Sequence, residues 1–203
     1  MQPYPVPTEA VSFSEEIKKS RFITLLAHTE GVEAAKSFIN DVKSQHPTAR
    51  HHCWAFVAGT PTDSQQLGFS DDGEPAGTAG KPILAQLLGS GVGEITAVVV
   101  RYYGGIMLGT GGLVKAYGGG VQQALKLLAT HEKVPLTEFT LQCDYAQLML
   151  VENLLQQVGG HILQSNYGAA VDMRLALPAT EASAIVTRLY DLSRGTLNLQ
   201  PVL

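Results

Sequence analysis

The stretch ITAVVVRYYGGIMLGTGGLVKAYGGG, residues 95–120, sets the fold of the first two-thirds of the chain. ITAVVVRYY (95–103) is apolar and β-branched with no turn residue inside it, the composition of a buried strand. GGIMLGTGG then reads as a loop, and a helix is expected over roughly 112–130. Gly118, Gly119 and Gly120 fall inside that helix, where each costs about 1 kcal/mol relative to alanine. Close packing of the helix on the sheet is the simplest compensation. The loop has a second reading. Backbone N–H groups at a helix N-terminus form an anion site, and Gly109, Gly111 and Gly112 would let a phosphate come close. Arg101 before the loop and Lys115 in the first helical turn would add charge. The spacing matches neither the P-loop nor the G-x-G-x-x-G dinucleotide pattern.

Working upstream, strands are expected at about 10–16 and 20–28, then a helix over 31–45 with Val32, Ala35, Phe38, Ile39 and Val42 on one face. HHCWAFVAG is a strand, and QLGFSDDGEP runs from a short strand into a turn. A helix follows over about 78–88, with Thr78 placed to cap it. The alternation suggests a mixed sheet with helices packed on one side. Cys53, Ala55 and Val57 alternate with Trp54 and Phe56, so both faces of this strand are apolar and the aromatic pair reads as covered.

Downstream, HEKVP (131–135) reads as a linker. Phe139, Leu141 and Cys143 then alternate with polar residues, and Leu148, Val151, Leu155 and Val158 recur at helical spacing before Gly159-Gly160. HILQSN and AAVDMRLAL form a hairpin, Pro178 opens a helix through Ile185 and Leu189, and TLNLQPVL is the last strand. The order βαββαβ is that of a ferredoxin-like domain. The outer sheet face would carry Thr140, Gln142, Asp172, Arg174, Asn198 and Gln200. It lacks the aromatic rings with which an RNA-recognition sheet stacks bases. The expected organisation is α+β, with a first domain over 1–133 and a ferredoxin-like domain over 136–203.

The chain has 203 residues, a net charge of −4 and 16% charged residues against 45% apolar ones. That composition excludes a disordered chain, and no apolar run approaches the roughly 18–20 residues of a membrane span. The first ten residues are not a signal peptide, and two cysteines are too few for a disulfide framework, so a cytoplasmic location is expected. Residues 136–203 carry −3 of the −4, which leaves the first domain nearly neutral and free to hold a local basic cluster. Glycine is unevenly spread: 16 of 21 lie between Gly59 and Gly120, so the glycine-dependent geometry belongs to the first domain.

Two further segments carry reactive residue types. In RHHCWAF (50–56), strand alternation lets only His51 and Cys53 share a side, which is too little for zinc, and nothing marks Cys53 as an activated nucleophile. No metal and no cofactor is therefore expected. In GFSDDGEP (68–75), Asp71, Asp72 and Glu74 read first as turn chemistry and second as a carboxylate cluster beside Lys81.

Taken together, RHHCWAFVAG (50–59), GFSDDGEPAGTAGKPIL (68–84) and VVVRYYGGIMLGTGGLVKAYG (98–118) resemble the signature segments of the IMPACT family in its bacterial, YigZ-type form. The resemblance covers most of residues 15–130. It implies that the first domain adopts the fold of ribosomal protein S5 domain 2, shared with elongation factor G domain IV, and that the tail resembles elongation factor G domain V. Eukaryotic relatives regulate translation and carry an N-terminal RWD domain, for which this chain has no room. The family brings no established catalytic residues. The leading expectation is a non-catalytic protein that contacts RNA or the ribosome, with Arg50, His51, His52, Lys81, Arg101 and Lys115 converging near the glycine loop and Tyr103 available to stack. The alternatives are a phosphate-handling or hydrolytic enzyme centred on residues 70–81 and 101–115, and a protein–protein adaptor using Trp54 and Phe56.

Overall fold

The computed structural model describes residues 2–203, so only Met1 of the expected 1–133 domain lies outside the described residues. The chain forms two compact units, one of residues Tyr4–Lys133 and one of Val134–Leu203 together with the first residues. In the first unit the strands are β1 (Tyr4–Pro7), β2 (Val11–Ile17), β3 (Ser20–His28), β4 (His51–Val57), β5 (Leu67–Ser70), β6 (Ile95–Tyr102) and β7 (Thr130–Lys133). The helices are α1 (Val32–Gln45), α2 (Gly80–Ser90) and α3 (Gly109–Leu127).

β6 sits at the centre of a five-stranded sheet of order β2-β3-β6-β4-β5. Each of its residues from Ile95 to Arg101 is buried, as its composition requires. All four pairings in the sheet are antiparallel, so it is not the mixed sheet that the alternation of elements suggests. Helices also cover both faces rather than one. Ile95, Ala97 and Val99 face α2 and α3, together with Phe22, Leu26, Cys53 and Ala55. Val98 and Val100 face α1, with Ile23 and Phe56. A strand apolar on both faces needs cover on both. Phe56 is accordingly buried, and Trp54 lies half-buried, stacked on it with ring centroids 5.6 Å apart.

Two close approaches explain glycines that cost helix or loop stability. A Cβ on Gly120 would stand 2.6 Å from the Thr24 hydroxyl of β3, a buried group with no hydrogen-bond partner. A Cβ on Gly104 would overlap the Lys19 carbonyl at 1.9 Å, so the glycine loop rests directly on the β2–β3 hairpin tip.

The expected linker 131–135 is partly strand. β7 pairs antiparallel with β1, placing Tyr4 opposite Lys133. The pair is fixed by Glu94, a carboxylate just before β6 that is only 2% exposed. Glu94 accepts hydrogen bonds from the Tyr4 hydroxyl (2.9 Å), His28 Nε2 (2.6 Å) and the Lys133 ammonium, which also reaches Glu30 at 2.7 Å. Burial works against the Glu94 charge, but these donors outweigh it and hold the carboxyl below the ordinary range.

The second unit contains β8 (Leu136–Cys143), α4 (Leu148–Val158), β9 (His161–Tyr167), β10 (Val171–Pro178), α5 (Ala182–Leu192) and β11 (Gln200–Pro201). Its sheet order β11-β8-β10-β9, with every pair antiparallel, is the ferredoxin-like arrangement. Phe139, Leu141, Met173 and Leu175 pack against Val151, Leu155, Ile185 and Leu189 of the helices. Pro178 ends β10 instead of opening α5, which starts at Ala182. β9 stops at His161 opposite Ala176, so no strand stands beside Pro178 on that flank to need its missing N–H. The open face is a shallow polar groove with Thr140, Gln142, Asp172, Arg174, Asn198 and Gln200 and no aromatic ring.

Candidate functional site

The sheet register builds the site. His51 of β4 lies directly opposite Arg101 of β6, both on the face covered by α2 and α3. Arg101 is 5% exposed, and its Nη1 donates to Glu74 Oε1 at 2.6 Å. Its Nε and Nη2 both reach the Ser20 hydroxyl at 3.3 Å, and the Gly104 N–H donates to the same oxygen at 3.2 Å. Glu74 Oε1 also accepts the Tyr117 hydroxyl at 2.6 Å. Tyr117 comes from α3 and packs edge-on against Phe22. Burial, then the neighbouring Cys53 and Glu74, push its hydroxyl well above the ordinary tyrosine range, so it stays a donor.

The carboxylates of SDDGE separate into different tasks. Asp71 Oδ1 accepts the N–H groups of Ala79 (3.1 Å) and Gly80 (2.8 Å), and Oδ2 accepts that of Gly77 (2.9 Å). It therefore caps α2, the task expected of Thr78, whose hydroxyl instead donates to the Pro75 carbonyl. Burial opposes the Asp71 charge, but these N–H groups prevail and hold its carboxyl below the usual range. Asp72, at φ +40°, turns its side chain to the His52 N–H at 2.7 Å. Glu74 alone points into the sheet–α3 space. No carboxylate cluster forms here, because the turn through Asp72 and Gly73 distributes the three side chains.

A cavity of about 370 Å³ opens above Glu74. Arg50, His51, Glu74, Arg101 and Tyr103 supply its polar lining, and Pro75, Met107, Leu108 and Leu113 its apolar walls. Gly109 and Thr110, the first residues of α3, complete the rim, and no side chain caps that helix end. The Tyr103 ring lies 5.2 Å from the Arg50 guanidinium and 5.3 Å from that of Arg101. His51 Nδ1 donates to the Asp72 carbonyl at 2.7 Å, which leaves Nε2, 3.6 Å from Glu74 Oε1, as the nitrogen facing the cavity floor.

Of the residues singled out from sequence, Arg50, His51, Arg101, Tyr103 and Gly109 line this cavity. Gly111 and Gly112 belong to the first turn of α3 but do not line it. His52 faces the α1 side, its Nε2 donating to the His46 carbonyl at 2.7 Å. Lys81 and Lys115 are exposed on α2 and α3, away from the lining. Arg101 is held by Glu74 and Ser20 with one N–H left on each terminal nitrogen, whereas the Arg50 guanidinium makes no hydrogen bond or ion pair among the described residues. Ser20 and Tyr117 are what sequence reading missed, and Glu74 was read only as one member of a carboxylate cluster. Their one signal was polarity at positions facing an apolar helix and sheet. Cys53 is buried, its thiol donating to the Asp71 carbonyl, and burial pushes it far above the thiolate range. Among the described residues no group of three or more His, Cys, Asp and Glu side chains could hold a metal, and no helix is long and apolar enough to cross a membrane.

Residues 18–125, which contain all of this cavity, match the Impact N-terminal domain, and residues 141–196 match a domain of unknown function, DUF1949. The chain belongs to the IMPACT family. This family member is 66% identical to the IMPACT family member YigZ of Escherichia coli, over 98% of both chains, which makes it a YigZ-type protein. It is 34% identical to the IMPACT family member YvyE of Bacillus subtilis, over 91% of this chain and 84% of that one. A crystal structure described as a hypothetical protein superposes with a TM-score of 0.80 at 65% identity, covering 100% of this chain and 98% of the other.

Proposed function

We propose that this IMPACT family member is a non-catalytic cytoplasmic protein that contacts RNA, on the ribosome or free, and acts in translation or its regulation. The observation that supports this is the rim of the cavity: the Arg50 guanidinium over the Tyr103 ring, next to the uncapped N-terminus of α3. A cation, an aromatic face and free backbone N–H groups are the chemistry that meets a phosphate and the base attached to it. The nearly neutral first domain does not repel a polyanion, whereas the tail, with its −3, gives no electrostatic help.

The two reactive groups weighed from the sequence, Asp71 and Cys53, are engaged elsewhere and do not line the cavity. Asp71 is spent on α2, and Cys53 is a buried thiol. Binding is therefore the reading rather than hydrolysis. The test is co-sedimentation with ribosomes, and with single-stranded RNA, across a salt series. Binding is expected to weaken as salt rises, and Arg50→Ala is expected to lower the salt slope by about one phosphate contact. Absent or salt-insensitive binding would overturn the proposal.

A further inference from the structure

Glu74 presents a feature that a generic phosphate site does not need. Its side chain is 4% exposed, and Oε1 carries every hydrogen bond the carboxylate receives from the described residues. Oε2 receives none, although Glu74 lines the cavity. Oε2 is not sealed inside the protein, since the Thr24 hydroxyl is the one buried side-chain N or O without a partner among the described residues. Oε2 is therefore open to a donor that enters the cavity. The partner is not a cation, because Arg101 already balances the Glu74 charge. The walls around the acceptor, Pro75, Met107, Leu108 and Leu113, are apolar and suit a flat, neutral ring. Arg101 lines the same floor and keeps one unused N–H on each terminal nitrogen.

We infer that the cavity takes a guanine base, with Glu74 Oε2 accepting from its N1–H and N2–H groups, Arg101 donating to O6, and the attached phosphate held at the α3 N-terminus beside Arg50. Guanine is the base whose pairing edge sets two adjacent donors next to an acceptor. Adenine offers a single donor there, and uracil sets its one donor between two acceptors. A carboxylate beside an arginine reads that order directly, in the way single-stranded RNA is read on its pairing edges. This inference rests on the RNA-contact reading above and names the base that such a contact would select. The same chemistry is offered by a guanosine in a strand and by free guanosine monophosphate.

The experiment measures anisotropy of labelled oligouridine strands carrying one central guanosine, inosine or adenosine, and calorimetry with free guanosine and inosine monophosphates. Inosine keeps O6 and N1–H and lacks only the 2-amino group. The guanosine strand is expected to bind about tenfold tighter than the inosine strand, the worth of one hydrogen bond to a charged acceptor. Glu74→Gln is expected to erase that ratio while leaving the salt-dependent component. The inosine comparison on the unaltered protein carries the test even where this variant fails to fold. Equal, salt-dependent affinity for all strands overturns the guanine site and leaves the RNA reading intact. Monophosphate binding with a guanosine preference but no strand binding overturns the RNA reading and makes the free nucleotide the source. No binding in either arm overturns both.

Discussion

Gly120 tests whether the glycine seam exists for packing. An alanine there gains about 1 kcal/mol of intrinsic helix stability. Its Cβ, however, would lie 2.6 Å from Thr24 Oγ1 and 3.9 Å from Thr24 Cβ. Only the hydroxyl is in the way. Gly120→Ala alone should therefore cost about 1–3 kcal/mol of overpacking, partly offset by the helix term. In a Thr24→Ala background the nearest Thr24 atom becomes the Cβ at ordinary contact distance, so the same substitution should stabilise by about 1 kcal/mol. The sign reverses, and the coupling comes to about 1–3 kcal/mol, or some 2–4 °C of melting temperature for each kcal/mol. Thr24→Val is the control. It replaces an unpartnered buried hydroxyl by a methyl of the same size, so it should stabilise alone yet retain the penalty of Gly120→Ala. Urea unfolding followed by the fluorescence of Trp54, the one tryptophan, reports on this unit. Additive effects of the two alanine substitutions would refute the seam, because they would mean Thr24 simply rotates aside.

Other expectations follow from the buried carboxylates and their donors. Asp71→Ala removes the acceptor of three N–H groups at the start of α2 and should cost at least the ~1–2 kcal/mol of an ordinary helix cap, measured by chemical denaturation. Glu94 has its carboxyl held below the ordinary 4.5, so its contribution is complete above that pH and is lost as pH falls through the lower folded value. Glu94→Gln should therefore lower stability at pH 7, by about 3 kcal/mol for a broken buried pair, and flatten the acid limb of the melting-temperature profile. Tyr4 behaves in the opposite sense. Burial first, then the hydrogen bond to Glu94, push its hydroxyl from 10.0 up to about 12, so its contribution is complete below pH 10 and fades towards pH 12. Tyr4→Phe should remove that part of the alkaline limb.

The sequence was most legible where one physical requirement dominated. An unbroken β-branched run could only be a buried strand, and the alternation in residues 136–203 was enough to order a ferredoxin-like sheet. It was least legible where pairing is decided at long range. Tyr4–Pro7 and Thr130–Lys133 have neither length nor periodicity, two of the four residues of Tyr4–Pro7 are prolines, and what ties the two strands together is Glu94, 90 residues from Tyr4. Apolar residues on both faces of ITAVVV already implied cover on both, which the reading of helices on one side underused. The site was half visible. Arg50, His51, Arg101 and Tyr103 stood out by type, but Glu74 looked like one of three equivalent acids. Only the left-handed backbone at Asp72 and Gly73 sends it alone to Arg101 and Tyr117.

The seating of Gly104 on Lys19 has a mechanical consequence. The hairpin tip Lys18-Lys19 turns in two residues, both at positive φ, and Ser20 directly behind it bonds both the Gly104 N–H and the Arg101 guanidinium. Tip, loop and arginine are one lever, and pulling on any part moves the cavity wall. Hairpin tips ordinarily accept inserted residues with little penalty. This one would transmit an insertion straight to Tyr103, so the shortest turn a hairpin can make doubles as the gauge that sets the width of the cleft.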